Sequence, residues 1–263
     1  MKLATKILVA AGVVLMVVGI IIMSGAMATT GFNFNVKELS NVEYETKDYK
    51  FSGELKEIDI DSSIADIEFF VDGSKGLSVE VKQCDDIIFD VTFNNGKLTI
   101  KSKDKKKFNF FGGFYTDLHI YVYLPKAELD KVKIDGSVGA VKIPAITCND
   151  MKIDESTGST TLEGVTVKNE LKIDSSTGSI KLVNVTAGSM DLDVSTGSIY
   201  FEDCEADEIY ADASTGSIKG TLKGEYNYNA DSSTGSVSVP SSDGNRKCRL
   251  KTSTGSIKIT RSL

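Results

Sequence analysis

The 263-residue chain carries 37 acidic and 30 basic side chains, a net charge of −7 spread along its length rather than gathered in blocks. A nucleic-acid partner asks for a basic face or stripe, so this balance argues against that class. Four cysteines without CxxC spacing, one histidine and 41% hydrophobic residues describe a single domain held by its core, not by a disulfide framework or a thiolate metal site.

Residues 7–27 hold no charge, and Lys2 and Lys6 precede them. The run is about 20 residues, enough to span a bilayer as one transmembrane helix. The lysines place the N-terminus inside and everything after Ala28 outside the cytoplasm. Residues 1–28 are therefore expected to be a membrane anchor. The small-x-small pattern Ala26-Met27-Ala28 keeps the alternative open, a signal segment cleaved near Ala28 with the domain secreted. Residues 29–50 read as a linker.

From 51 to 131 the chain reads as an N-terminal solenoid cap. Residues 58–64 alternate apolar and polar side chains, and 77–82, 87–93 and 98–102 do the same. Asn95-Gly96 is a strong hairpin signal, which makes this region an antiparallel insert. His119 lies in one further strand, 119–124, and is read as structural. Between these strands Lys101, Lys103, Lys105, Lys106 and Lys107 run into Phe108, Phe110, Phe111, Phe114 and Tyr115. A basic stem with an aromatic tip has the composition of a membrane-surface contact. The competing reading makes those aromatics the apolar lid of the first coil.

Residues 132–263 are the regular part. Ser-Thr-Gly-Ser begins at Ser156, Ser176, Ser195, Ser214, Ser233 and Ser253, a period of 19–20 residues. Before each copy apolar positions alternate with polar ones, as in Met151-Lys152-Ile153, and the alternation resumes after it, as in Ile180-Lys181-Leu182. A coil this short has no room for a crossover helix, so the period predicts an all-β parallel β-solenoid with coils about 4.8 Å apart. The corners fall at Thr177-Gly178, Thr196-Gly197 and Thr215-Gly216 and their equivalents, where glycine supplies a positive φ. The threonines are expected to form hydroxyl ladders. Lys251, in the last coil of the sequence, reads as a terminal counter-charge. Cys148 and Cys204 are placed on return segments about three coils apart, roughly 14 Å and too far to bridge.

One column carries chemistry. Asp135, Asp154, Asp174, Asp193, Asp212 and Asp231 each precede a corner by three residues, and stacking sets these like charges about 5 Å apart. A divalent cation assisted by Ser and Thr hydroxyls is one reading, with Asp154, Asp174, Asp193 and Asp212 as its ligand candidates. The favoured one is local: each carboxylate meets its own corner amides, and Lys133, Lys152, Lys172, Lys181 and Lys219 balance the charge. No nucleophile elbow, phosphate loop, cofactor fingerprint or zinc-protease motif is present, so neither enzyme activity nor a cofactor is expected.

The iterated Ile-Asp-x-Ser-Thr-Gly-Ser-Ile-x-Leu, with Ile58-Asp59-Ile60-Asp61 and Asp66-Ile67-Glu68 upstream, resembles the bacterial β-strand-repeat family labelled "putative adhesin", a domain of unknown function of the DUF4097 type. The resemblance covers nearly everything after residue 50. It implies a non-enzymatic binding or sensing module of the cell envelope, with some relatives tied to envelope stress. The alternative is an adhesin for glycans or proteins, and a carbohydrate-active enzyme stands third. The partners it implies are membrane lipid and an envelope protein or glycan.

Overall fold

Alternation of buried and exposed side chains runs through nearly every segment of the computed structural model, which describes residues 42–104 and 117–262. The expected anchor at 1–28 and the membrane-contact candidates from Lys105 to Phe114 lie outside the described residues. Those residues form one continuous 21-stranded sheet with no helix among them. The sheet folds on itself at the corners, so the inward residues of one flank meet those of the other. Along the first flank Ile60, Ile134, Ile153, Ile173, Leu192, Ala211 and Leu250 stack in register, all 0% exposed. Along the second, Val141, Thr160, Ile180, Ile199, Ile218 and Ile257 do the same. Each buried aliphatic side chain contributes about 1.5–3 kcal/mol. The repeat makes that contribution recur every coil.

The stack is a parallel solenoid as the period predicts, but chain order and stack order part company at both ends. At the C-terminal end Arg246–Thr254 inserts between Ile199–Thr215 and Tyr226–Thr234. The last coil in sequence is thus the penultimate coil in space, and Lys251 is no terminal charge: it lies between Asp212 and Asp231. Electrostatics explains the exchange. Arg246 pairs with Glu205 and reaches Asp207, Lys247 meets Glu208 at 2.7 Å, and Lys251 approaches Asp212 at 3.8 Å. Tyr226–Thr234 holds no basic residue, and stacking it there would set Asp231 on Asp212. Like charges side by side on neighbouring strands are destabilising.

The N-terminal end repeats the arrangement. Glu57–Ile64 pairs with Lys131–Val138, so the distant weak copy is a true coil with Asp61 beside Asp135. Lys97–Asp104 and His119–Leu124 then form an outer coil, parallel to Glu57–Ile64 and Asp66–Val71. The insert is therefore antiparallel only at its margins, where Ile87–Asn94 pairs with Lys97–Asp104 and Leu77–Cys84 with His119–Leu124. Asn95 and Gly96 have φ of 52° and 80°, a type I′ turn. The expected linker 29–50 contains most of an edge strand, Tyr44–Phe51, held antiparallel against Leu77–Cys84. Return and corner join in single strands, Thr166–Thr177 and Thr186–Thr196, whose pairing shifts register between Val167 and Glu170.

The four cysteines are free and buried. Cys148 aligns with Val167, Ala187 and Ala206, whereas Cys204 faces Leu222. The two belong to different columns, not to coils three apart in one. Burial pushes the Cys148 and Cys248 thiols up to about 12. These are core side chains and not redox groups.

Candidate functional site: an acidic column and an aromatic groove

The corner that builds the column depends on a missing side chain. Gly178, Gly197 and Gly216 have φ of 151°, 149° and 149°. A Cβ on Gly197 would lie 1.6 Å from the carbonyl oxygen of Gly178 in the coil before. The same collision would link Gly216 to Gly197, Gly255 to Gly216 and Gly235 to Gly255, which retraces the spatial order of the coils. Thr177, Thr196 and Thr215 stand exposed beside these glycines. The ladder of hydroxyls belongs to the serines that follow: Ser217 N–H donates to Ser198 Oγ at 3.0 Å and Ser256 N–H to Ser217 Oγ at 3.3 Å. The corner threonines are exposed, whereas the serine hydroxyls meet the backbone of the neighbouring coil.

Asp135, Asp154, Asp174, Asp193 and Asp212 align in register along the first flank. Lys152 meets Asp154 at 2.8 Å, and Lys172 bridges Asp191 at 2.6 Å and Asp174 at 3.5 Å. Lys181 and Lys219 lie on the other flank, among Thr161, Tyr200 and Lys258, and do not balance this column. Burial pushes the Asp174 carboxyl up, Lys172 opposes it, and a hydrogen bond with Asp154 adds to the rise. Burial followed by Asp212 and Asp174 pushes Asp193 up as well. Among the described residues no three Asp, Glu, His or Cys side chains are arranged to hold a metal ion. The carboxylates are strung along the stack, not gathered round a point.

Sequence reasoning missed the most perturbed acid. Glu155 follows Asp154, so parity turns it inward, and it is 5% exposed. Its carboxylate fills the space that Gly136 leaves empty one coil away: a Cβ on Gly136 would sit 2.2 Å from Glu155 Oε1. Among the described residues Glu155 Oε2 has no hydrogen-bond partner, nor do the buried hydroxyls of Ser62, Thr160 and Ser175. Burial, with Asp135 and Asp154 adding to it, pushes the Glu155 carboxyl up to about 8. The signal was present: Gly-Ser at Gly136 where later coils have a larger inward residue, and Glu where they have Ser, Val or Ala.

A second site lies on the outer face of the other flank, and no sequence expectation pointed to it. There the inserted coil meets the regular ones. Phe70 and Tyr123 are register partners whose rings stack at 5.1 Å with 21° between planes, and Tyr121 meets Phe70 edge-on at 5.8 Å. Lys75 Nζ lies 3.6 Å from the centre of the Tyr123 ring. Phe70, Tyr123 and Lys75 wall a groove of about 710 Å3 whose remaining sides include Glu68, Lys142, Pro144, Thr161 and Glu163. Glu68, Lys142 and Thr161 sit side by side on three adjacent strands. Neither Glu68, Lys142 nor Glu163 is engaged in an ion pair among the described residues. His119 borders the same face, stacked on Tyr121 at 5.4 Å and fixed by Asp117 at 3.1 Å from Nε2. The sequence trace of the site is the run His119-Ile120-Tyr121-Val122-Tyr123, whose outward positions are all aromatic.

Comparison with known proteins comes down to one family and one fold. The family described as Toastrack DUF4097 matches residues 55–262. A "putative adhesin" from Bacteroides fragilis superposes with a TM-score of 0.50 at 20% identity, covering 83% of this chain and 97% of its own. A "putative lipid binding protein" from Parabacteroides distasonis gives 0.46 at 18% identity, covering 84% and 98%. At these identities the likeness is one of fold. No curated protein matches the chain.

Proposed function

The chain belongs to the Toastrack DUF4097 family, and from that premise we propose that it is a non-enzymatic binding module of the cell envelope that takes its ligand in the Phe70–Tyr123 groove. One observation carries the reading: a strand-built groove whose aromatic wall is flanked by Glu68, Lys142 and Glu163, none of them in an ion pair among the described residues. Ligand sites combine apolar walls with a few placed polar groups, and this groove has that composition. Within the acidic column Lys152 and Lys172 pair with Asp154 and Asp174 and Lys251 approaches Asp212, so the column is read as part of the stack. Residues 1–28 anchor the module with its N-terminus inside, and residues Lys105 to Phe114 supply an additional lipid contact. The envelope-stress role and the adhesin role both use this arrangement and differ only in where the ligand originates.

The test is co-sedimentation of the full-length chain, in mild detergent, with insoluble envelope material. Saturable sedimentation of the wild type that falls at least tenfold in Phe70→Ala is the expected outcome. Sedimentation that is unaffected by Phe70→Ala would remove the groove from the function.

A further inference from the structure

We infer that the groove ligand is an uncharged saccharide. The inference rests on the groove being the contact surface, and it names the chemistry that surface fits. Three candidate classes fail on the wall itself. A lipid chain would cover Glu68, Lys142 and Glu163 without replacing their hydration, and burying charged groups unpaired is costly. A polyanion meets three carboxylates, Glu68, Asp72 and Glu163, against two ammonium groups, Lys75 and Lys142. A cationic segment would have to displace Lys75 from the Tyr123 ring, where the protein has already placed a cation of its own.

A sugar ring satisfies every part of the wall at once. One of its faces is made of C–H groups and packs on an aromatic ring, while its rim carries hydroxyls that both donate and accept. Phe70 supplies the ring surface, held in place by Tyr123 and edge-on by Tyr121. Glu68 and Glu163 accept from hydroxyls, and Lys142 and Thr161 Oγ1 donate to them. Glu68, Lys142 and Thr161 stand at strand spacing, about 4.8 Å, so a chain of sugars lying across the strands meets a polar group at each step. The groove is large enough for a short oligosaccharide rather than a single ring, since sites of about 300–1,000 Å3 enclose ligands of drug size. Its walls are strands in register, so the ligand is recognised by a surface already formed.

The experiment is isothermal titration of the full-length chain, in mild detergent, with three probes: the tetramers of N-acetylglucosamine, β-1,4-glucose and α-1,4-glucose. Phe70→Ala, Glu68→Gln and Lys142→Met are compared with Tyr200→Ala, which changes an exposed aromatic on the same flank outside the groove. The expected result is binding of at least one tetramer by wild type and Tyr200→Ala, weakened at least tenfold in Phe70→Ala and in Glu68→Gln. If Phe70→Ala melts below the wild type, Glu68→Gln and Lys142→Met decide, because both side chains lie on the surface of the groove. Binding that survives these substitutions would overturn the inference. So would silence from all three tetramers while Phe70→Ala still abolishes envelope sedimentation, an outcome that leaves the groove in the function and removes saccharide from it. Loss of neither would end both readings.

Discussion

Gly197→Ala adds one methyl group at the middle of the stack, and the structure sets how much that costs. The new Cβ falls 1.6 Å from Gly178 O and 2.6 Å from Gly178 C, both backbone atoms that no rotamer can move. The coils must separate by about 1.4 Å before the contact reaches 3.0 Å, which real Cβ atoms essentially never undercut. That displacement breaks the bonds joining the same two coils, Gly178 N–H to Thr196 O at 2.9 Å and Ile180 N–H to Ser198 O at 3.0 Å. Each lost bond costs about 1 kcal/mol, rising to about 3 where the group stays buried and unpaired. The φ of 149° adds about 1–3 kcal/mol for a residue with a side chain. The sum is about 3–9 kcal/mol, against a total stability of about 5–15 kcal/mol for most domains.

Gly76 provides the control. Its φ is 65°, yet a Cβ there meets nothing within 4 Å among the described residues. Gly76→Ala therefore carries backbone strain alone, about 1–2 kcal/mol. Urea unfolding followed by far-ultraviolet circular dichroism measures both. If the two variants lie within 1 kcal/mol of each other, glycine is there for its φ and not for the approach of the coils, and the stacking argument is wrong.

Glu155 should make the domain less stable as pH rises, the reverse of ordinary acid denaturation. Its carboxyl titrates near 4.5 when unfolded and near 8 when folded, so the folded state holds the extra proton between those values. Stability is complete below pH 4.5, declines by up to about 1.4 kcal/mol per unit to pH 8, and then levels. Asp174 and Asp193, also pushed up from 3.8, act with the same sign. Melting temperature against pH should slope downward for the wild type and flatten for Glu155→Gln; parallel curves would show that Glu155 ionises freely. Lys251→Glu should destabilise by roughly 1 kcal/mol at low salt, because it sets three carboxylates in line from Asp212 to Asp231. Half-molar salt should recover most of that loss, and a salt-independent loss would point to packing instead.

The regular coils were legible because each was written several times over. Six copies of one tetrapeptide fix the corner, and parity then fixes which side of Ile153 or Asp154 faces the core. What was illegible is whatever depends on which coil sits beside which. Arg246, Lys247 and Lys251 declare their neighbours only through Glu205, Glu208 and Asp212, and chain order points to a different pairing. Parity turns Glu155 inward, but what makes room for its carboxylate is its register partner Gly136, which chain order alone does not name. The groove needs the same knowledge, since Phe70, Tyr123 and Lys142 become neighbours only when the coil of residues 97–124 is placed outside the coil of residues 57–71.

This division has a physical basis that bears on function. A repeated coil puts the same side chain at every level, so its outer face is a set of uniform columns and distinguishes one position from the next only weakly. Thr177, Thr196 and Thr215 are interchangeable, and so are the serines behind them. Selectivity requires a place where neighbouring levels differ, and the outer face of the second flank has one. Its inserted strand offers aromatics, Tyr121 and Tyr123, where the regular strands offer Lys142, Thr161 and Lys181. The boundary between them is the groove. The corners set the spacing of those levels: Gly158 lies against Gly139, and Gly139 against Ala65, so Glu68, Lys142 and Thr161 keep strand spacing. A substitution at Gly158, where a Cβ would fall 1.6 Å from Gly139 O, that loosened the stack without unfolding it would then leave Phe70 in place and still weaken binding, through the distance between levels rather than through any contact with ligand.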